Sequence, residues 1–523
     1  MENKMKRALI SLSDKTGIVP FAKGLHELGI EILSTGGTAK LLKENLIPVV
    51  EVGDYTGQPE ILDGRLKTLH PKIHGGILGM RSNVQHVEDM KKSQIQPIDL
   101  IVVNLYPFEQ TIAQAGVTLE HAIENIDIGG PTMIRAAAKN WQDVAVVVDH
   151  QDYAKILEEL RRGDIHDAPN VTKETKFELA KKVFVLTSRY DGAIANYLTG
   201  GKDNQFPETF NFQFQKVQEL RYGENPHQKA AFYKDGASGV SSAKQLHGKE
   251  LSFNNILDLD AAFGLVLDFS ETACVIVKHT TPCGVAVGAI HESPLHDIFV
   301  AARDCDPLSA FGGIIAFNRP VDVATAQEIS KDFYECVIAP SFAPEAFQII
   351  AGKKNIRIME LPSAISKKQL DLKRVSGGLL VQEKDEQIEN VRESKVVSAR
   401  QPSDTEWNVL QFAWKVCRGV KSNAIVYAGA EGNIIKTLGI GGGQVSRVDA
   451  TKIGISKART SLKGAVMASD AFFPFRDNID EAAKAGIAVV VQPGGSMRDD
   501  ETIQAVNEHQ MVMLFTGARH FRH

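Results

Sequence analysis

Short runs of Val, Ile, Leu and Ala alternate with stretches of helical periodicity along almost the whole chain, and that alternation restricts it to α/β layers built on parallel sheets. Ala8–Ser11 reads as a buried strand. Thr16–Leu28 follows as a helix, with Ile18, Phe21, Ala22, Leu25 and Leu28 at helical spacing. Ile30–Ser34 is the next strand and Thr38–Asn45 the next helix; Leu100–Asn104 and Val144–Val148 are later strands, and Glu174–Leu198 is one long helix closing the region. Gly200–Pro207, with its glycine pair and a proline, is the linker signal, so residues 1–199 are expected to form one domain and 200–523 another. The second region holds two α/β stretches, roughly 210–360 and 400–523, separated by a charged, breaker-rich segment from Lys353 to Pro402. No repeat is visible in the residues, although the two halves could share a fold.

At 523 residues the chain is long enough for several cores, and 43% hydrophobic with 24% charged residues excludes disordered, collagen-like and coiled-coil classes. Lys and Arg (59) against Asp and Glu (64) leave a formal charge of −5, a poor footprint for binding long nucleic acid. Small anions stay open, because a phosphate site needs only a few local cations and backbone N–H groups. Cys274, Cys283, Cys305, Cys336 and Cys417 follow neither a disulfide nor a zinc-ribbon spacing, which fits a reducing compartment. The charged N-terminus lacks a signal-peptide pattern and the apolar runs are short, so a cytoplasmic protein without membrane partners is expected.

Ser11-Leu12-Ser13-Asp14-Lys15-Thr16-Gly17 joins a strand to a helix and offers hydroxyls, a lysine and helix N–H groups to a phosphate. Ser34-Thr35-Gly36-Gly37-Thr38 repeats the arrangement at the next junction. Each alone is also readable as an ordinary N-cap; two on one sheet edge favour a ligand site. Leu62–His74 packs basic side chains into a stretch without helical pattern, readable either as a solvated loop or as a loop lining an anionic site through Arg65 and Lys67. Asp127-Ile128-Gly129-Gly130-Pro131 sets a carboxylate before a helix, with Lys139 near its end.

In the second region Arg221–Gln228 is dense in recognition groups around a turn, and the strand Val275–Val277 ends in Lys278-His279. Asp306–Gly313, Lys421–Ile425, Gly439–Arg447 and Ser469–Asp477 follow. The glycine run lacks the dinucleotide register and is weak as a nucleotide signal. Phe472, Phe473 and Phe475, interleaved with Asp470, Arg476 and Asp477, read either as core or as a site that stacks a flat heterocycle. The ending Arg519-His520-Phe521-Arg522-His523 is a candidate ligand-contacting tail.

SLSDKTG, STGGTA, DGRLKTLHPKIHGGIL, NLYPF and DIGGPTMIRAAAKN together resemble the IMP cyclohydrolase domain of bifunctional purine biosynthesis proteins, which is similar in fold to methylglyoxal synthase. RYGENPHQ, VKHTTPCGVA, CDPLSAFGGI, VKSNAIV, GIGGGQVSR, SDAFFPFRD, QPGGS and RHFRH resemble, in order, the AICAR transformylase region of the same family. Thr281 departs from the Asn or Ser expected before Pro-Cys-Gly, and Arg418-Gly419 departs ahead of Val420. The resemblance implies a methylglyoxal-synthase-like, doubly wound parallel-sheet domain followed by tandem cytidine-deaminase-like α/β modules. It implies formyl transfer from 10-formyltetrahydrofolate to AICAR, giving FAICAR, then dehydrative closure to IMP. A homodimer and a monovalent cation such as K+ come with it.

The site expectations follow from matching those steps to residues. His279 is the candidate base and Lys278 the oxyanion or leaving-group partner in formyl transfer. Lys67, Tyr106, Asp127 and Lys139 are assigned to cyclisation. Ser11, Ser13, Lys15, Ser34, Thr35, Gly36, Gly37, Thr38, Arg65, Thr68, Asn104 and Gly129 are expected to bind nucleotide in the first region. In the second, Arg221, Tyr222, Arg519 and Phe521 are expected at AICAR and Asn423 and Asp477 near the folate, with Asn255, Phe311, Gly312, Gln444, Arg447, Phe472, Pro474 and His523 also binding substrate.

Rival readings fit the residues less well. Zinc-dependent deamination needs H-x-E with P-C-x-x-C, and Pro282-Cys283 is followed by Ala286, so no zinc is expected. A cysteine-protease pairing of Cys283 with His279 carries little weight. A purely phosphate-sensing first region leaves Asp127 and Lys139 unexplained, and methylglyoxal synthase activity there is disfavoured by the large second region.

Overall fold

The computed structural model describes residues 5–162, 170–200, 206–236, 239–288, 293–362 and 370–523. The chain forms two compact units, Met1–Gln213 and Phe214–His523. Of the expected linker, 201–205 lie outside the described residues. Among the described residues no helix is long and apolar enough to cross a membrane.

In the first unit β1 (Arg7–Ser11), β2 (Glu31–Ser34), β3 (Val50–Glu51), β4 (Leu100–Val103) and β5 (Ala145–Val147) form a parallel sheet in the order β3-β2-β1-β4-β5. Leu100–Val103 and Ala145–Val147 are buried throughout, as strands covered on both faces must be. The helix Ile18–Glu27 packs Phe21 on Tyr153 with ring centroids 4.3 Å apart. The long helix runs Lys173–Gly200 and buries Leu179, Ala180, Val183, Thr187 and Tyr190. The strand order reverses between β1 and β4, the position where open α/β sheets hold ligands.

The supposedly patternless stretch Leu62–His74 contains the start of a helix, Pro71–Leu78. His70 caps it by accepting the Lys72 N–H at 3.1 Å, and Pro71 occupies the first turn, where its missing N–H costs nothing. Within it a Cβ on Gly76 would come within 2.6 Å of the Gln96 carbonyl, so glycine there allows close packing.

The second unit opens with a separate hairpin, β6 (Gln215–Leu220) and β7 (Ala230–Lys234). Its main sheet takes β8 (Lys244–His247), β9 (Ala273–Lys278), β10 (Thr281–Gly288), β11 (Ile314–Phe317), β12 (Cys336–Ala339) and β13 (Arg357–Glu360) from one half. After a second hairpin, β14 (Leu370–Val375) and β15 (Gly378–Glu383), come β16 (Lys395–Val396), β17 (Ile425–Glu431), β18 (Ile434–Gly441), β19 (Val466–Ser469), β20 (Val489–Gln492) and β21 (Val512–Phe515). The order is β16-β21-β20-β19-β17-β18-β10-β9-β11-β12-β13-β8, so each half repeats the same sequence of strands outward from the β10–β18 seam. The sheet is mixed, not purely parallel as the alternation suggested: each half begins with an antiparallel hairpin and continues with parallel strands.

Both faces of this sheet are buried. Ala273, Val275 and Val277 enter one core with the helices Phe253–Val266 and Asp404–Arg418, while Cys274 and Ile276 enter the opposite one. The two helices occupy equivalent places before β9 and β17, and both start on a capping box, Ser252 with Asn255 and Ser403 with Glu406. The glycine run has a packing role: side chains on Gly439 and Gly441 would run into the carbonyls of Gly454 and Ala450 on the helix Arg447–Lys457.

Candidate active sites

In the first unit the carboxyl ends of β1, β2 and β4 converge. Ser11 Oγ lies 3.1 Å from Thr35 Oγ1, Ser34 Oγ donates to the Ile10 carbonyl, and Thr38 Oγ1 accepts the Leu12 N–H at 3.1 Å. Asn104 accepts the Ser13 N–H at 2.7 Å and donates to the Asp14 carbonyl at 2.7 Å, fixing the loop after β1. Lysines reach the helix start at Gly36-Gly37 from two directions. A Cβ on Gly37 would lie 3.7 Å from Lys15 Cε, and one on Gly36 3.8 Å from Lys67 Nζ. Two cations at a helix N-terminus make an anion cradle. Lys67 Nζ is paired with Glu60 at 2.8 Å, and Arg65 forms an ion pair with Glu124.

Beside this cradle, Thr68 Oγ1 would touch a Cβ on Gly129 at 3.0 Å, bringing the 65–68 loop to the helix Gly129–Lys139. Asp127 accepts the Gly130 N–H at 2.8 Å and the Tyr106 N–H at 3.4 Å, and its own N–H donates to Tyr190 Oη at 2.7 Å. Burial pushes the Asp127 carboxyl above its ordinary range, against the pull of those two N–H groups. Lys67, Thr68, Tyr106, Asp127 and Gly129 are thus gathered. Lys139 ends the helix that begins at Gly129, its backbone about 15 Å along the axis.

In the second unit Lys278 and His279 line a cavity of about 330 Å³ at the seam of the halves, together with Thr281, Cys283, Asp306, Gly442, Gln444 and Lys457. Lys278 Nζ donates to the Phe311 carbonyl at 2.8 Å, and Gly312, at φ 73, bonds to the Phe333 carbonyl at 2.7 Å. His279 and Thr280 both adopt left-handed backbone, and their N–H groups donate to Asp258. Burial pushes the Asp306 carboxyl up, but Ser309 and Lys457, the latter at 3.1 Å, outweigh it and hold its charged form. Burial also drives the Cys283 thiol to about 12, and its Sγ donates to the Ile276 carbonyl, which removes it as a nucleophile near neutral pH.

A second cavity, about 540 Å³, begins at Val445, the residue after Gln444. Asn423, Arg447, Phe472, Pro474, Asp477, Arg519 and Phe521 line it. Arg447 is 8% exposed; it pairs with the fully buried Asp470 and donates to Ser469 Oγ at 2.9 Å and Asn423 Oδ1 at 2.7 Å. Asn423 in turn donates to the Gln444 carbonyl at 2.9 Å. Phe472 is 38% exposed, so its ring is available to a ligand while Phe473 is core. The Arg519 guanidinium stacks 4.4 Å over Phe521. Between these two residues His520 is buried, with Asp385 and Glu389 each 2.7 Å from its ring nitrogens.

Other expected residues stand apart. Arg221 stacks on the Tyr222 ring at 4.8 Å in the β6–β7 turn, and neither lines these cavities. Asn255 Oδ1 accepts the Ser252 N–H in the capping box. The His523 carbonyl accepts from Lys373 of β14 at 3.0 Å. Asp258 and the Asp306–Lys457 pair were not singled out in the sequence. Asp306 stood inside a quoted motif, whereas Asp258 has no signal beyond a helix position facing a hairpin.

The two units define a phosphate-cradle α/β domain joined to a duplicated mixed-sheet enzyme. Residues 17–132 match the family model of the MGS-like domain, and residues 137–457 that of the AICARFT/IMPCHase bienzyme. The chain belongs to the AICARFT/IMPCHase bienzyme family. It is 54% identical to the bifunctional purine biosynthesis protein PurH of Magnetococcus marinus over 99% of this chain and 100% of that one. It is also 54% identical to PurH of Acidithiobacillus ferrooxidans, over 99% of each. A solved structure titled "Crystal structure of ForH" is 36% identical over 36% of this chain and 95% of its own, with a TM-score of 0.34.

Proposed function

We propose a division of labour in which the second unit transfers a formyl group to AICAR and the first closes the product to IMP. The activities are those of the family: AICAR formyltransferase and IMP cyclohydrolase, with a reduced formylfolate as cosubstrate. The observation that carries the assignment is that Lys278 and His279 line one cavity and an aromatic, cation-bearing set lines another, with the consecutive residues Gln444 and Val445 lining one each.

The arylamine of AICAR is a weak nucleophile because its lone pair is conjugated with the ring and carboxamide. His279 takes its proton as the nitrogen attacks the formyl carbon. Lys278, oriented by the Phe311 carbonyl, stabilises the oxyanion and assists departure of the folate nitrogen. Arg519 and Phe521 hold the nucleotide, Phe472 stacks a heterocycle, and Asn423 and Asp477 face the folate. In the first unit Lys15, Thr38 and the Gly36-Gly37 N–H groups take the phosphate. Lys67, Tyr106 and Asp127 surround the carbon where the carboxamide nitrogen adds and water leaves.

The monovalent cation remains part of the proposal. Asp470 Oδ2, fully buried and without a hydrogen-bond partner, is an oxygen donor of the kind such an ion takes, beside Ser469. The ion would be structural and takes no part in a step. A homodimer and a cytoplasmic location likewise belong to the proposal.

His279→Ala should lower formyl transfer about 10³-fold and leave cyclisation of FAICAR unchanged, while Lys67→Ala should lower cyclisation about 10²-fold and leave transfer unchanged. Either variant affecting both steps equally, or neither, would refute the division.

A further inference from the structure

The β9–β10 hairpin closes on two residues, because Lys278 pairs with Thr281 and only His279 and Thr280 lie between. Both have positive φ, 56° and 59°. A two-residue turn of this hand favours Asn-Gly, and a β-branched threonine is among the residues least suited to it. The equivalent hairpin of the other half closes between Glu431 and Ile434 on Gly432-Asn433, with Gly432 at φ 58°. In that half only a glycine takes positive φ, whereas the first half sets a histidine and a threonine there.

Asp258 supplies what the turn lacks. Its Oδ2 accepts the His279 N–H at 3.1 Å and its Oδ1 accepts the Thr280 N–H at 2.6 Å, while Thr280 Oγ1 donates to the His279 carbonyl at 2.7 Å. The carboxylate projects from the helix Phe253–Val266, whose first turn is fixed by the Ser252–Asn255 capping box. A strained turn clasped by a rigid helix, with a cavity-lining imidazole at its tip, is backbone strain kept for a purpose. We propose that Asp258 is a positioning residue for formyl transfer, holding the His279–Thr280 turn so that the imidazole meets the reacting amine in one orientation. This rests on His279 being the base.

The test uses the full-length protein. Asp258→Asn keeps the shape but presents an NH2 group to one of the two N–H donors. It should lower kcat for formyl transfer about 10²-fold, leave both KM values within about threefold, and leave cyclisation at the wild-type rate. Thr280→Gly removes the steric objection to positive φ, so Asp258→Asn with Thr280→Gly should regain about tenfold or more over Asp258→Asn alone. A merely structural carboxylate would not be replaced by a glycine in the turn. If Asp258→Asn also loses its cooperative melt, the added Thr280→Gly must restore both melt and rate. Adding Asp258→Asn to His279→Ala should cost no more than about twofold further.

Near wild-type transfer by Asp258→Asn beside an inactive His279→Ala overturns the positioning role and leaves the base intact. An active His279→Ala overturns the reading beneath it. Failure of the glycine rescue, or losses that multiply in the double variant, shows Asp258 acting elsewhere and overturns the proposal.

Discussion

The two halves of the second unit build the same sheet and then diverge at equivalent positions. In the first half the Ala273 N–H donates to Asn318 Oδ1 at 2.9 Å; in the second the Ala424 N–H donates to Asp470 Oδ1 at 3.1 Å. Both acceptors follow the strand that pairs with the hairpin, β11 or β19. The same backbone need is met twice, but the rest of each side chain does different work. Asn318 Nδ2 donates to the Phe269 and Glu271 carbonyls at 2.8 and 2.7 Å and closes that end of its half. Asp470 instead draws in Arg447, which orients Asn423 at the mouth of the larger cavity. Because β10 and β18 run antiparallel, the hairpin end of one half and the open end of the other share a sheet edge, and both cavities lie there. The two halves share one frame and differ in the polar residues at its ends.

Asp470→Ala and Asn318→Ala should therefore differ sharply. The first leaves Arg447 buried without its partner and should cost about 3–5 kcal/mol of stability in urea melts, with formyl transfer lost. The second should cost about 1–3 kcal/mol and spare transfer in the protein that remains folded. Equal losses from both would remove the distinction between the halves. His520→Leu comes next in size. Without the Asp385 and Glu389 contacts the tail loses its anchor between Arg519 and Phe521, and KM for AICAR should rise about tenfold, or about 1.4 kcal/mol, with little change in kcat. An unaltered KM would detach the tail from the nucleotide.

The smallest effect, a displaced acid limb in the unaltered protein, concerns the first unit, which serves as the outside reference. Asp127 is raised by burial, so its neutral form persists to higher pH than that of an ordinary carboxyl. Cyclisation that needs the carboxylate should then fall on the acid side at a pH above the usual aspartate value of 3.8. The sign for stability is opposite: whatever the shift contributes is fully present below that value and fades as pH rises through the raised one. Asp127→Asn should abolish the acid limb along with most of the rate. A limb unmoved in that variant would assign it to another group.

Much of this was legible in the sequence because buried parallel strands are apolar runs: Ala8–Ser11 and Leu100–Asn104 lie within two residues of β1 and β4. The loops at their ends could be placed on one sheet edge because two Ser/Thr/Gly junctions follow neighbouring strands, although each alone is also an ordinary N-cap. The mixed sheet was not: Gly432-Asn433 marks one hairpin, but the β9–β10 turn is His-Thr and carries no glycine or asparagine to announce the other. The duplication was hidden for a related reason: equivalent positions such as Asn318 and Asp470 keep a shared acceptor geometry and differ as residues. Asp258 was invisible because its meaning comes from a turn that lies one strand further along the chain, at the end of β9.

The most direct test of two separate catalytic bodies acting in sequence is complementation by mixing. His279→Ala and Lys67→Ala proteins, purified separately, are each given AICAR and 10-formyltetrahydrofolate and followed by ultraviolet absorbance for IMP. Neither alone should produce IMP at an appreciable rate, and the mixture should, because FAICAR released by one is closed by the other. A mixture as inactive as its components, or IMP formed at full rate by either variant alone, would contradict the account.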